Sequence, residues 1–303
     1  MINIRRVDVS LLEAFVALYD EQSVSRAAKR LALTQPTVSG MLNRLRDLFD
    51  DPLFVRTQRG ILPTPRAEAL AEPVKALLAD AQALIAPQVF EPAKSTATFT
   101  FMAHDYLRVL LVAPLARALF AAAPRAYLAV MPVYVADLAL KLANGTLDLA
   151  VTVAQHAPPG QRMRLLFRDP HVGATRKGHD LKSNAPNLKE FCRLDFALVS
   201  PEGAGFVGPT DRALAARGAS RRVAASFSDY PILVEALLGG DLATVLPRSL
   251  AQRHAAALHI FRPPVPIPDL EVVACWHPRV DKDPAQLWFR ELVFKLAARI
   301  KSE

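Results

Sequence analysis

Cysteine is nearly missing from this chain, with only Cys192 and Cys275 among 303 residues. Two isolated thiols without His or Cys at metal-ligand spacing supply neither a zinc site nor a disulfide framework, and no metal or cofactor is expected. No run of about 18 apolar residues is present to cross a bilayer, so no membrane partner is expected. The opening stretch, MINIRRVDVSLLEAF, has neither a long apolar core nor a small-residue cleavage site, which argues against a secretory signal and for a cytoplasmic protein. Negative charge is also in short supply. Lys and Arg number 37 against 29 Asp and Glu, leaving a formal charge of +8 and a pI near 9.7, a balance that favours a polyanionic partner. The remaining composition, 51% hydrophobic and 22% charged, describes an ordinary globular protein long enough for two or three domains.

The excess of positive charge is concentrated between residues 23 and 66, where eight Lys or Arg face three Asp or Glu. Phosphate contacts require such an excess, and it makes affinity fall with salt. Within this stretch Ser23 is a good N-cap for a short helix to Leu31, with Ala27, Ala28 and Leu31 on its apolar face. Thr34 then caps a second helix, and Pro36 is tolerated in its first turn because the N–H groups there have no intrahelical partner. Val38, Leu42, Leu45 and Phe49 form a one-sided stripe. Gln35, Pro36, Thr37, Ser39, Gly40, Asn43, Arg44 and Asp47 lie away from it. A helix with an apolar back and short polar side chains in front suits a major groove. Gln35, Pro36, Ser39 and Asn43 are the expected base readers, and Thr37 and Arg44 the expected phosphate contacts. Two short strands, Leu53–Val55 and Ile61–Pro63, would form a wing around a glycine turn, with Arg56 and Arg59 reaching phosphates or the minor groove.

A first helix, Asp8–Tyr19, carries Leu11, Leu12, Phe15, Leu18 and Tyr19 on the face expected to pack beneath the helix-turn-helix. Thr64 and Pro65 are a fresh helix start. From Arg66 to about Ile85 the apolar residues Leu70, Val74, Leu77, Ala81 and Leu84 repeat at 4-3-4-3 spacing, a heptad seam suited to dimerisation, with Pro73 as an internal irregularity. Paired readers predict an interrupted inverted repeat in double-stranded DNA.

Pro87–Thr98 is a proline-containing linker without periodicity. Beyond it strands and helices alternate. Strands are expected at Thr98–Met102, Tyr127–Val133, Leu147–Val153, Phe196–Ser200, Arg222–Phe227, Leu242–Leu246 and Leu270–Trp276, with one or two more in Leu165–Arg176. Helices are expected at Leu107–Ala122, Ala136–Asn144, Asn187–Phe191, Pro209–Arg217, Tyr230–Gly239, Pro247–His254 and Pro284–Ile300. This alternation implies right-handed βαβ units and a mainly parallel sheet, hence an α/β fold behind the winged reader.

The stretch SVSRAAKRLALTQPTVSGMLNRLRDLFDDPLFVRTQRGILPTPRAEALAEPV resembles the N-terminal reader of the LysR-type transcriptional regulators. Further matches are LANGTLDLAV (142–151), RLLFRDPHVGATRKGHD (164–180), LATVLPR (242–248) and WHPRVDKDPAQLWFRELV (276–293), so the resemblance covers essentially the whole chain. These features resemble the branch holding nodulation regulators and salicylate- and nitroaromatic-responsive regulators. Gly40 departs from the longer side chain often found there in the family.

The resemblance implies a DNA-binding transcriptional regulator, not an enzyme. Its parts are a winged helix-turn-helix at 1–65, a linker and dimerisation helix at 66–86, a hinge at 87–98, and a two-lobed effector-binding domain like a periplasmic binding protein at 99–303. Lobe one would hold 99–166 and 269–303, and lobe two 167–268, with crossings near Leu166 and Pro268. The chain would act as a homodimer, or as a tetramer.

Open parallel sheets bind ligands beyond the carboxyl ends of their strands. Those ends bring forward His104, Asp105, Gln155, His156, Ser200, Phe227 and Ser228, and the family pattern adds His171 and Thr244. Imidazoles, hydroxyls and an aromatic ring suit a small aromatic or phenolic acid as effector. A rival signal is the literal G-x-G-x-x-G at Gly203–Gly208. It follows an expected strand and precedes a helix, and Asp229 lies about 20 residues beyond, as in a nicotinamide-dependent oxidoreductase. Too few strands follow for a full doubly wound sheet, and no acid–base set for hydride transfer accompanies it. An enzyme built on Ser200, His171 and Asp169 has only chain order in its favour.

Overall fold

The computed structural model describes residues 8–58, 60–85, 89–132, 135–200 and 205–300. Contacts divide the chain after Gln88 into an N-terminal and a C-terminal unit.

The N-terminal unit begins with α1 (Val9–Glu21), capped by the Asp8 carboxylate, which accepts the Ser10 N–H at 3.0 Å. Helix α2 (Val24–Arg30) starts at Ser23 and α3 (Gln35–Phe49) at Thr34, each cap hydroxyl accepting a backbone N–H three residues on. The antiparallel wing pairs β1 (Phe54–Thr57) with β2 (Gly60–Pro63), Phe54 opposite Pro63. The stripes anticipated on α1 and α3 converge, and Leu11, Phe15, Leu18, Val38, Leu45 and Phe54 are all buried. At roughly 1.5–3 kcal/mol for each such side chain, this core holds three short helices that would be marginal alone. Helix α4 (Pro65–Ile85) continues through Pro73 without a break. Its first half turns Ala67, Ala71 and Val74 into the core, whereas Leu77 and Leu84 are 54% and 88% exposed. The upper seam therefore serves its own domain and the lower seam is uncovered.

The C-terminal unit contains two five-stranded sheets. The chain first lays down β3 (Thr98–Ala103), α5 (Asp105–Ala122), β4 (Tyr127–Pro132), α6 (Leu138–Asn144), β5 (Leu149–Val153) and β6 (Arg162–Asp169) in lobe one. It then builds lobe two from β7 (His171–Arg176), α7 (Leu188–Cys192), β8 (Asp195–Val199), α8 (Pro209–Ala215), β9 (Arg222–Phe227), α9 (Tyr230–Gly239), β10 (Ala243–Pro247), α10 (Arg248–Arg253) and β11 (Leu258–Phe261). It returns to lobe one as β12 (Leu270–Trp276) and closes with α11 (Pro284–Ile300). The strand orders are β4-β3-β5-β12-β6 and β11-β7-β10-β8-β9. Strands β3, β4 and β5 run parallel, as do β8, β9 and β10, while β12 and β7 run against their neighbours.

Two details differ from the sequence expectation. The outward crossing falls at Pro170 rather than near Leu166, because β6 stays in register with β12 as far as the Asp169–Leu270 pair. Strand β11 was not anticipated, yet it pairs with β7 from Leu258 opposite Arg176 to Phe261 opposite Gly173.

Candidate DNA reader and effector cleft

On α3 the three buried residues Val38, Leu42 and Leu45 fix the rotation of the helix, and the opposite face is open. Gln35, Pro36, Thr37, Asn43 and Arg44 are exposed, and Ser39 is half-buried. Several of these side chains are already oriented. The Gln35 Oε1 accepts the Ser25 hydroxyl at 3.2 Å, the Thr37 and Thr34 hydroxyls lie 2.8 Å apart, and the Asn43 Oδ1 accepts from Arg46 at 3.3 Å. A Cβ added at Gly40 would meet no atom within 4 Å, so the helix surface is flat there and a partner can approach the backbone.

Arg46 is a functional support that sequence reasoning did not single out. Its guanidinium donates to the Pro52 carbonyl at 2.9 Å and to the Phe54 carbonyl at 3.0 Å, joining the end of α3 to the start of the wing. Asp51 organises the turn between them by accepting the Leu53 N–H at 2.7 Å and the Thr64 hydroxyl at 2.8 Å. At the base of the wing the Gln22 carbonyl accepts the Ile61 N–H at 3.0 Å. Gly60 is required there: its φ is +137°, and a Cβ would lie 2.5 Å from the Gln22 oxygen. Arg56 is exposed on β1, and Arg59 lies outside the described residues.

In the C-terminal unit four of the expected effector residues, His104, Asp105, His156 and His171, make contacts that join separate segments of the two lobes. His104 Nε2 and His156 Nδ1 stand 2.9 Å apart, joining the residues after β3 to those after β5. Burial, then His156 and Arg108 nearby, lower the His104 pKa to about 4, so His104 is neutral at physiological pH. Asp105 crosses the cleft to accept the Tyr230 N–H at 2.6 Å, capping α9 of lobe two. Asp169 does the same for α10, accepting both the N–H (3.1 Å) and the hydroxyl of Ser249. Burial raises the pKa of both carboxyls despite these bonds. His171 shares its Nδ1 with the Pro268 carbonyl at 2.9 Å and so joins the outgoing crossing to the returning one.

The other expected residues are less convergent. Gln155 is exposed beside His156. Ser200 and Phe227 are half-buried neighbours, the Ser200 N–H donating to the Phe227 carbonyl at 2.8 Å. Thr244 is fully buried inside its sheet with its hydroxyl on the Ala197 carbonyl at 2.9 Å, which makes it a sheet residue and not a cleft contact.

Tyr106 and Arg108 were missed. Tyr106 is 2% exposed, its ring meets Tyr230 edge-on at 5.7 Å, and its hydroxyl has no hydrogen-bond partner among the described residues. The Arg108 Nε is likewise buried without a partner. Buried donors are normally satisfied, and each unmet one is a group that a ligand's acceptor would complete: the hydroxyl of the Tyr106 ring that meets Tyr230, and the Arg108 Nε near His104. In sequence Tyr106 falls just before the helix expected from Leu107, whereas α5 begins at Asp105 and includes it.

The glycine motif does not make a nucleotide site. Gly203 and Ala204 lie outside the described residues. At the α8 N-terminus the Asp211 carboxylate already accepts the Gly208 N–H at 2.7 Å and forms a two-bond pair with Arg221 at 2.8 and 3.1 Å. An internal anion thus stands where a pyrophosphate would bind. Asp229, the would-be ribose ligand, instead caps α9 through the Ile232 N–H at 2.9 Å. Ser200, His171 and Asp169 form no relay, since Asp169 bonds to Ser249 and His171 to Pro268.

Residues 9–68 match the family model for bacterial regulatory helix-turn-helix proteins of the lysR family, and residues 93–298 match the LysR substrate binding domain. The chain is 33% identical to the HTH-type transcriptional activator NagR of a Ralstonia species, over 97% of this chain and 98% of the relative. It is also 33% identical to the HTH-type transcriptional activator NahR of Pseudomonas putida, over 97% and 98%. Among solved structures, the probable transcriptional regulator PA0477 from Pseudomonas aeruginosa covers 96% of this chain, and 97% of its own, at 32% identity and a TM-score of 0.59. Full-length CbnR in complex with its target DNA shares the fold at a TM-score of 0.57 and 17% identity, covering 96% of this chain and all of that one. With a reader and a two-lobed effector domain both matched along nearly its whole length, the chain belongs to the LysR family of transcriptional regulators and is not an enzyme.

Proposed function

We propose that the protein is a cytoplasmic regulator that reads an interrupted inverted repeat as a homodimer or tetramer and answers to a small aromatic or phenolic acid. The observation that carries the effector reading is the group of buried donors at the cleft. The Tyr106 hydroxyl and the Arg108 Nε have no partner among the described residues, and Arg108 lies near the neutral His104. A carboxylate is the acceptor-rich group that such a set favours, and Phe227 and Tyr230 offer aromatic surface for the rest of the ligand.

In the reader, Gln35, Pro36, Ser39 and Asn43 contact bases, while Thr37, Arg44, Arg56 and Arg59 hold the backbone. The uncovered Leu77 and Leu84 of α4 pair with a second copy, which places two readers on one site. The effector changes how the lobes close, and the coupled readers turn that change into a different spacing or DNA bend.

Selection from a random duplex library, followed by titration of the selected site with salicylate and a panel of substituted benzoates, tests the reading. An inverted repeat whose binding changes with one of these acids supports it. A selected site without two-fold symmetry, or indifference to every acid in the panel, contradicts it.

A further inference from the structure

A second feature of lobe two lies apart from the donors at the cleft. A groove of about 1130 Å³ runs beneath the returning crossover, between residues 184–186, α10 and the proline-rich stretch 262–269. Its buried lining is apolar and includes Val172, Phe261 and Val265. Its exposed lining carries three guanidinium groups, Arg217, Arg248 and Arg262, against one carboxylate, Asp269. None of these arginines has an ion pair or a side-chain hydrogen bond among the described residues, although eight other Lys and Arg side chains of the C-terminal unit hold ion pairs.

We propose that this groove is a binding site for a small organic carboxylate with an apolar body. Charge complementarity names the occupant: guanidinium groups recognise carboxylates through paired hydrogen bonds, and the apolar base accepts a ring or short chain. Inorganic phosphate would satisfy the arginines but leave the apolar base wet. Pro170, Pro186, Pro263, Pro264 and Pro266 form much of the wall, and their fixed φ angles keep the groove preformed, so little order is lost on binding.

The groove also touches both crossings between the lobes. Pro170 and His171 begin lobe two on one side of it, and Asp269 precedes the return to lobe one on the other. Arg248 is the first residue of α10, its N–H donates to the Pro170 carbonyl at 2.8 Å, and its neighbour Ser249 receives the Asp169 cap. A ligand held by Arg248 therefore pulls on the same helix end that lobe one holds, which couples the groove to lobe closure.

The test is equilibrium dialysis of labelled benzoate against the full-length protein and the variant Arg217→Glu/Arg262→Glu, with thermal unfolding to show that both are folded. The expected result is two benzoates per chain for the unaltered protein and one for the variant. One benzoate per chain that the variant loses also supports the groove, and contradicts the cleft instead. Equal stoichiometry in the two proteins, or no binding to the unaltered protein, overturns the proposal.

Discussion

Asp105, on the first turn of α5 in lobe one, accepts the N–H of Tyr230 at the start of α9 in lobe two, at 2.6 Å. Asp169 repeats the arrangement with Ser249 at the start of α10. Two carboxylates of one lobe thus cap two helices of the other, and the helix dipoles favour negative charge at both places. The caps require one particular spacing of the lobes, so a ligand that alters the spacing must work against them. Asp105→Ala is expected to cost about 1 kcal/mol of stability, as cap removals do. It should also change the effector concentration at half response. Denaturant unfolding and operator titration read the two effects, and an unchanged half-response concentration would separate the cap from signalling.

Neutral His104 makes a pH prediction. The pKa of His104 falls from 6.5 in the unfolded chain to about 4 in the fold, so the unfolded state binds the extra proton first. The contribution of neutral His104 to stability is complete above pH 6.5 and is lost as pH falls toward 4, at no more than about 1.4 kcal/mol per pH unit. In His104→Gln this part of the slope should vanish when unfolding is followed from pH 7 to pH 4.5. A slope identical to that of the unaltered protein would assign the acid sensitivity to other groups.

Asp211 is bound to an Arg221 side chain that is only 2% exposed and lies over the Phe196 ring at 4.3 Å. Burial alone would raise the pKa of this carboxyl, but the Arg221 pair and the backbone N–H bonds, chiefly from Gly208, together outweigh it and the net shift is downward. Asp211→Ala leaves a buried guanidinium uncompensated and is expected to destabilise by about 3–5 kcal/mol. Its effect belongs to the folding of lobe two, so thermal unfolding should register it. A loss below about 1 kcal/mol would mean that water reaches Arg221.

Gly40 gives a prediction on the reader. An added methyl meets nothing, so Gly40→Ala should stabilise the N-terminal unit by up to about 1 kcal/mol through helix propensity. If DNA backbone or bases approach this flat face closely, the same change weakens operator binding. Greater stability with weaker binding is the expected pair, and tighter binding would show that the face stands clear of DNA.

Much of this architecture was legible in local signals. Ser23 and Thr34 act as caps where cap chemistry placed them, and the stripe from Val38 to Leu45 faces the core. What escaped depended on contacts between distant segments. LHIF at 258–261 is too short to show alternation and becomes a strand only through β7. Arg46 looks like any surface arginine until the Pro52 and Phe54 carbonyls fold back to it. The 4-3 spacing on α4 is even along its length, whereas the fold divides it between α1 and an open face. Tyr106 and Thr244 exchanged roles because neither a helix expected to begin at Leu107 nor the family pattern that brought Thr244 forward shows whether a hydroxyl finds a partner.

The central claim is that α3 specifies sequence and the wing supplies affinity. Fluorescence anisotropy of the selected operator and of random duplex, over a range of salt, tests it with Asn43→Ala and Arg56→Ala. Asn43→Ala should lower the preference for the operator by roughly 1–3 kcal/mol while leaving affinity for random duplex intact. Arg56→Ala should weaken both alike and flatten the salt slope by about one. If both variants lose specificity equally, or if the unaltered protein binds the operator no better than random DNA, the assignment of α3 as the reader is wrong.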